Sequence, residues 1–327
     1  MLKNTASVVE YWTSKSPEAG DLRCDWKKGD PPKCHLSGWL IVPDTVDRDA
    51  SAGKLPAIVF LHGSVGNHPE NPRVSRHGVC EIANYFVGEG YVFFLPIMRG
   101  YDDASPAGKG AGFHNTGTDY NTWAEGKKGQ DGKDKTWWVL DYMANKEMKD
   151  IQAAIATLAA MKSRDGSKPL IDKMRLAVMG HSFGGARTVL ASAADLDPQP
   201  RAAIDLSGAA MSWNTPDGDS WGVWLKRAAK QRKMPMYIQM TPQENPNGLV
   251  SAATDVFAAA DSANHDLVGG AVMALFSHFA IPLEAKMRCQ TNSIPDYWCA
   301  HGYLVTASEQ TERWLPGVRS FLKYYGF

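Results

Sequence analysis

The sequence predicts an α/β fold, a mostly parallel sheet with helices on both faces, and three observations carry that prediction. Short apolar runs alternate with amphipathic helical stretches along the chain, the pattern that β-α-β units produce. Several of those runs, LPAIVFL and KMRLAVMG among them, are apolar almost throughout, as strands buried on both faces must be. One run passes directly through Gly180-His181-Ser182-Phe183-Gly184 into a helical stretch, which marks a sharp strand-to-helix turn.

Taken in order, HLSGWLIVP alternates apolar and polar residues and predicts an early antiparallel strand near a sheet edge. LPAIVFLHG follows as a buried strand, GVCEIANYFVGEG as a helix closing on glycine, and YVFFLPIMRG as the next strand. DIQAAIATLAAMKSR is a long amphipathic helix opened by Asp150. KMRLAVMG is a strand, and GGARTVLASAAD carries Ala, Val and Leu at helical spacing with no proline. RAAIDLSGA and MPMYIQMTP are two further strands, separated by a segment bearing Trp213, Trp221 and Trp224. ANHDLVGGAVMALFSHFAIP reads as helical, and TERWLPGVRSFLKYYGF as a terminal helix packed on the sheet. There is no internal repeat and no dividing linker, so residues 1–327 are expected to form a single domain.

One segment breaks the rhythm. Residues 102–147 are rich in Gly, Asp and Lys, with little strand periodicity, yet they carry Phe113, Tyr120, Trp123, Trp137 and Trp138. Long irregular segments in compact domains tend to be lids or binding loops, and a purely solvated loop has no use for so many rings. A lid or pocket insertion is expected there.

Composition narrows the function. The 35 basic and 35 acidic side chains balance, so neither nucleic acid nor an acidic membrane surface is an expected partner. No apolar run approaches the roughly 20 residues that span a bilayer. The opening MLKNTASVVEYW lacks an apolar leader core, which leaves a cytoplasmic protein or one read without its leader. The cysteines favour the second. Cys24 and Cys34 flank one irregular polar stretch, and Cys289 and Cys299 another; each pair can close a short loop, and neither has the spacing of a zinc or redox motif. Two disulfides and a secreted or periplasmic location are expected, with four free thiols in the cytoplasm as the alternative. Cys80 reads as a buried thiol on the apolar face of its helix.

The chemistry centres on Ser182. A GxSxG string is weak alone, but here it has the strand before it and the helix after it that a nucleophile elbow requires. Gly180, Gly184 and Gly185 remove the Cβ atoms that would clash where strand and helix come close. A serine needs a histidine to take its proton and a carboxylate to hold that histidine in its tautomer. In the chain order Ser, acid, His, His301 in WCAHGYL, ahead of the terminal helix, is the expected base, whereas His265 and His278 fall within the stretch read as helical. Glu244 in TPQENPNG, just past MPMYIQM, is the expected acid, ahead of Asp255 and Asp261. The oxyanion needs two backbone donors: Phe183 supplies one, and Ser64 or Val65 of LHGSVGNHP the other, with His62 and Gly63 shaping that turn. Trp137, Trp138 and Trp213 are the expected substrate-binding rings. The chemistry calls for no cofactor and no metal.

These motifs together, with GWLIVP, PAIVFLHGS, GYVFFLPIMRGYDDAS, IDKMRLAVMGHSFGG, AAIDLSGAAMSW, PMYIQ and HGYLVTASEQTERWLPGVRSFL in order, resemble the dienelactone hydrolase-like branch of the α/β-hydrolase superfamily. The resemblance spans most of the chain beyond about residue 35. It implies the α/β-hydrolase fold and a serine hydrolase that cleaves a small-molecule carboxylic ester or lactone through an acyl-enzyme; a peptidase-like or amide hydrolase, or a non-catalytic ligand-binding member, are the alternatives. The chain departs from the family where QAEND usually follows the acid-bearing strand, since here Gln239 is followed by MTPQENP. The stretch between that strand and His301 is also longer than usual.

Overall fold

In the computed structural model the described residues are 5–12, 24–25, 33–43, 54–63, 72–98, 143–163, 166–208, 221–240, 249–262, 271–275, 301 and 313–327. Among them, β1 (Thr5–Trp12) pairs antiparallel with β3 (Lys33–Val42), and the short β2 (Cys24–Asp25) pairs with the start of β3. β3 also runs antiparallel to β5 (Val92–Pro96). From there every pairing is parallel, through β4 (Leu55–Leu61), β6 (Ile171–His181), β7 (Ala202–Leu206), β8 (Met236–Met240) and β9 (Ala271–Leu275). The spatial order is β1-β3-β5-β4-β6-β7-β8-β9. The expected mostly parallel sheet is therefore present, with its antiparallel edge where HLSGWLIVP lies.

The apolar runs become strands because each sorts its side chains onto two cores. Along β4, Ala57, Val59 and Leu61 join one buried cluster while Ile58 and Phe60 join the other, the period of two that a pleated strand imposes. β6 divides likewise, with Leu176 and Val178 on one side and Ala177 and Met179 on the other. The first cluster is roofed by α2 (Met148–Ala160), α3 (Phe183–Ala193), α4 (Trp221–Lys230) and α5 (Leu249–Ser262). The second is covered by α1 (Pro72–Gly88) and α6 (Leu315–Tyr324). A continuous apolar strand is stable only with helices on both sides, and both are here.

Two expectations need correction, and one strand went unread. AVMAL, within the stretch read as helical, is β9 and pairs residue by residue with β8. A run of five apolar residues has no period that separates helix from strand, and the open edge of β8 decides it. Met143–Glu147 form one π-helical turn leading into α2, with Met143 and Glu147 fully buried. That helix consequently begins at Met148, and Asp150 is a buried residue of its first turn rather than its opening residue. β1 was not anticipated at all. In TASVVEYW neither alternate set is apolar throughout, so periodicity gives no signal and only the pairing with β3 defines the strand. Residues 102–142, the Cys80 side chain and Cys289 and Cys299 lie outside the described residues, as do His265 and His278.

Among the described residues no helix is long and apolar enough to cross a membrane. The packing makes a direct prediction. Phe86 of α1 is fully buried and meets Tyr85 and Tyr91 edge-on, so Phe86→Ala is expected to cost about 3–5 kcal/mol by lost burial and cavity formation. Tyr324 is 82% exposed, and Tyr324→Ala is expected to stay within about 0.5 kcal/mol of the parent. Chemical denaturation of the two variants checks the contrast.

Candidate active site

Ser182 stands alone between β6 and α3 with φ 58° and ψ −123°, a left-handed backbone that an ordinary side chain adopts only under constraint. The constraint is close packing. A Cβ on Gly180 would overlap the Gly184 carbonyl, one on Gly184 would overlap the Leu61 carbonyl at the end of β4, and one on Gly185 would overlap the Asp205 carboxylate. The elbow therefore needs all three glycines. Its main chain is tied to the next strand, where the Ser182 amide donates to the Leu206 carbonyl at 3.1 Å. Ser207, at the end of that strand, also takes a positive φ of 49°, and its amide donates to the Gln239 carbonyl at 2.7 Å.

Two further residues lie close to the elbow. Gly63, just past β4, is so close that a Cβ there would lie 2.9 Å from Ser182 Cβ and 3.5 Å from its Oγ. On the α1 and α6 side, His301 is buried, and its carbonyl accepts a 2.9 Å hydrogen bond from Nε2 of His181, the residue preceding the nucleophile candidate. The two imidazoles are tilted by 35° with centroids 4.6 Å apart. So the structure brings His301 against His181, 120 residues earlier in sequence and next to Ser182.

His62 and His181 are both neutral. Met98 N–H donates to His62 Nε2 at 3.0 Å, so that nitrogen carries no proton; the proton sits on Nδ1, which donates to the Gly63 carbonyl at 2.8 Å. Burial first, and the Arg187 charge second, push the His62 pKa down to about 3. His181 is held well below its usual value, by burial first and by the proximity of His301 second. His62 is a structural residue of the loop, as chain order suggested.

Behind the loop lies a pair the sequence did not disclose. Arg187 of α3 and Glu147 are both fully buried and meet fork to fork, Nε to Oε2 and Nη2 to Oε1, each at 2.8 Å. Arg187 Nη1 donates to the His62 carbonyl, also at 2.8 Å. An arginine inside GGARTVLASA is a visible signal, but its partner lies 40 residues away at the edge of an irregular segment. His181 was likewise missed, because it fills the variable position of its motif.

Of the expected site residues, Ser182, Phe183 and His301 are described. Phe183 opens α3, and the first amides of a helix take no carbonyl of their own helix and lie at its positive end, which suits an oxyanion donor. Ser64, Val65, Glu244, Trp137, Trp138 and Trp213 lie outside the described residues, whereas Asp255 is an exposed residue of α5 and Asp261 is exposed near its end. Among the described residues no group of three His, Cys, Asp or Glu side chains is placed to hold a metal.

No family model matches the sequence, and no curated protein does. Solved structures do match in shape. The acylaminoacyl peptidase of Pyrococcus horikoshii aligns with 98% of this chain at 13% identity and a TM-score of 0.53, the chain spanning 41% of that protein. Esterase 2 of Thermogutta terrifontis, solved as its tabun adduct, aligns over 95% of this chain and 97% of its own at 18% identity and a TM-score of 0.52. The chain has the α/β-hydrolase fold, with Ser182 at the strand-to-helix turn of its central strand.

The two histidines make the stability pH-dependent. A folded-state pKa below the unfolded value of about 6.5 means that the unfolded chain binds more protons between the two. Stability is then complete above pH 6.5 and falls as pH drops toward 3, at up to about 1.4 kcal/mol per pH unit for each histidine. Urea denaturation at pH 7, 5.5 and 4.5 measures the slope, and His62→Gln is expected to reduce it by about one proton. A wild-type stability flat across that window would contradict the neutral, buried assignment.

Proposed function

We propose that the chain is a serine hydrolase that cleaves a carboxylic ester or lactone through an acyl-enzyme. The observation that supports this most directly is Ser182 held at a positive φ, with Gly63 against its Oγ and His301 tied through its carbonyl to the adjoining histidine. Strain at a turn where a buried strand meets a helix is retained where a side chain must be presented to a ligand. In this reading Ser182 Oγ attacks the acyl carbon while its proton passes to His301. The negative oxygen is met by the Phe183 amide and by that of Ser64 or Val65. His301 then protonates the departing alkoxide, and water repeats the sequence on the acyl-enzyme to release acid and free serine. Glu244 orients the His301 ring, and Trp137, Trp138 and Trp213 wall the pocket with apolar area.

The cysteines add a location to the proposal. Cys24 lies directly opposite Cys34 in the β2/β3 register, and opposed antiparallel residues have Cα separations of about 4.5 or 5.5 Å, within the roughly 4.4–6.8 Å that a disulfide spans. A bridge there supports export to the periplasm or beyond.

Two experiments test the reading. A fluorophosphonate is expected to label the wild type once, at Ser182, and Ser182→Ala is expected to take no label and to lose roughly 10³-fold or more in kcat. Label on another serine, or near-parental turnover by Ser182→Ala, would end the proposal. Because one structural neighbour is a peptidase and the other an esterase, the substrate panel sets acyl p-nitroanilides beside p-nitrophenyl esters. Aromatic and medium-chain esters are expected to show higher kcat/KM than acetate, a preference that Trp137→Ala and Trp138→Ala diminish. A flat profile would remove the tryptophans from the pocket.

A further inference from the structure

We infer that Arg187 and Glu147 are positioning residues for the oxyanion-binding loop, acting through the His62 carbonyl without touching substrate; the inference rests on the serine-hydrolase reading above. Two fully buried charges are an expensive way to hold a helix against a strand. Apolar side chains of similar volume usually serve stability as well or better. The pair therefore calls for a geometric reason, and its third contact supplies one. Glu147 occupies Nε and Nη2 of the guanidinium, which fixes the plane of the fork, and Nη1 is then aimed at the carbonyl of His62. Only a bidentate arginine can satisfy both demands at once, since a lysine offers a point charge on a flexible stem.

The consequence runs along the chain by peptide planarity. In a trans peptide the carbonyl and the following N–H lie in one plane and point in opposite directions. Holding the His62 oxygen on Arg187 sets the Gly63 amide. Holding the Gly63 oxygen on His62 Nδ1 fixes the second carbonyl, at the point where the chain enters the stretch proposed to supply the second oxyanion donor, from Ser64 or Val65. The His62 ring is itself fixed at its other end by Met98 N–H. Two successive carbonyls are thus held by hydrogen bonds directly beside Ser182, against which Gly63 packs. A carbonyl rotated the other way would set a negative dipole where the oxyanion forms, and these bonds oppose that rotation.

The arrangement also joins distant parts of the chain. Glu147 ends the π-helical turn through which residues 102–142 lead into α2, and Arg187 sits one turn beyond the nucleophile candidate. The π-helical turn, the loop after β4 and α3 therefore meet at a single guanidinium.

The test uses the double variant Arg187→Met, Glu147→Leu, which removes both charges and leaves neither buried alone. Rates are normalised to active sites titrated with a fluorophosphonate. The expected result is a loss of about 10²-fold in kcat, the scale of an approximately 1 Å misplacement, with KM within about threefold, because the donors act on the transition state. Nitrogen-15 NMR of the His62 imidazole is the second readout, and the hydrogen-bonded Nδ1–H of the wild type is expected to be lost or exchange-broadened in the variant. If the double variant does not fold, Arg187→Lys, which keeps the charge but not the fork, is expected to show the same kcat loss. A folded variant with parental kcat, or with an unchanged His62 signal, would overturn the inference. A wild type that takes no fluorophosphonate and turns over no ester would instead remove the hydrolase reading, and the His62 signal would still decide whether Arg187 holds the loop.

Discussion

The molecule is organised around a place with no room for a side chain. The first turn of α3 is pressed so close to the ends of β6 and β4 that Cβ atoms at Gly180 and Gly184 would overlap main-chain carbonyls. That closeness forces Ser182 to a positive φ and turns it out of the strand, where it is buried like both its neighbours. The rest follows from it. A helix that starts this near the strand ends brings its first amides and positive end to the sheet edge. Parallel strands carry several loops to that same edge, so Gly63 from β4 and Ser207 from β7 arrive beside the elbow.

Polar groups close to such a site must be both buried and satisfied. The protein meets this with neutral imidazoles rather than charged ones. His62 and His181 each spend a ring N–H on a main-chain carbonyl, and burial keeps them unprotonated. Arg187, a fully buried charge, enters with a fully matched carboxylate. In each case a side chain fixes a loop carbonyl, so the loops are positioned by hydrogen bonds whose direction matters more than their strength. His301 is held in the same manner, through its main chain, which leaves its ring orientation to be set by neighbouring groups.

Legibility in the sequence tracked the range of the interaction. The elbow is local: glycines, serine and flanking runs lie within a few residues, and their steric logic is complete in the string itself. The strands β4, β6, β7 and β8 were legible because their largely apolar runs alternate with helical stretches in the order that β-α-β units produce. β1 carries no clean alternation, and β9 is too short to show a period, so each became a strand only by pairing with an edge already present. Glu147 belonged to a segment read as a lid for its length, its irregularity and its aromatic rings, and nothing near it in sequence points to a guanidinium in α3.

What the sequence determined by itself was the class of fold and the identity of the strained serine, because periodicity and close packing at a turn depend on residues adjacent in the chain. What only the tertiary structure decided was which distant groups share the serine's surroundings. His301 lies against His181, Arg187 binds Glu147 and the His62 carbonyl, and Met98 holds the far side of the His62 ring. These contacts join segments separated by 36 to 125 residues. Their partners are chosen by the order in which parallel strands assemble, and that order is a property of the sheet and not of any local stretch of sequence.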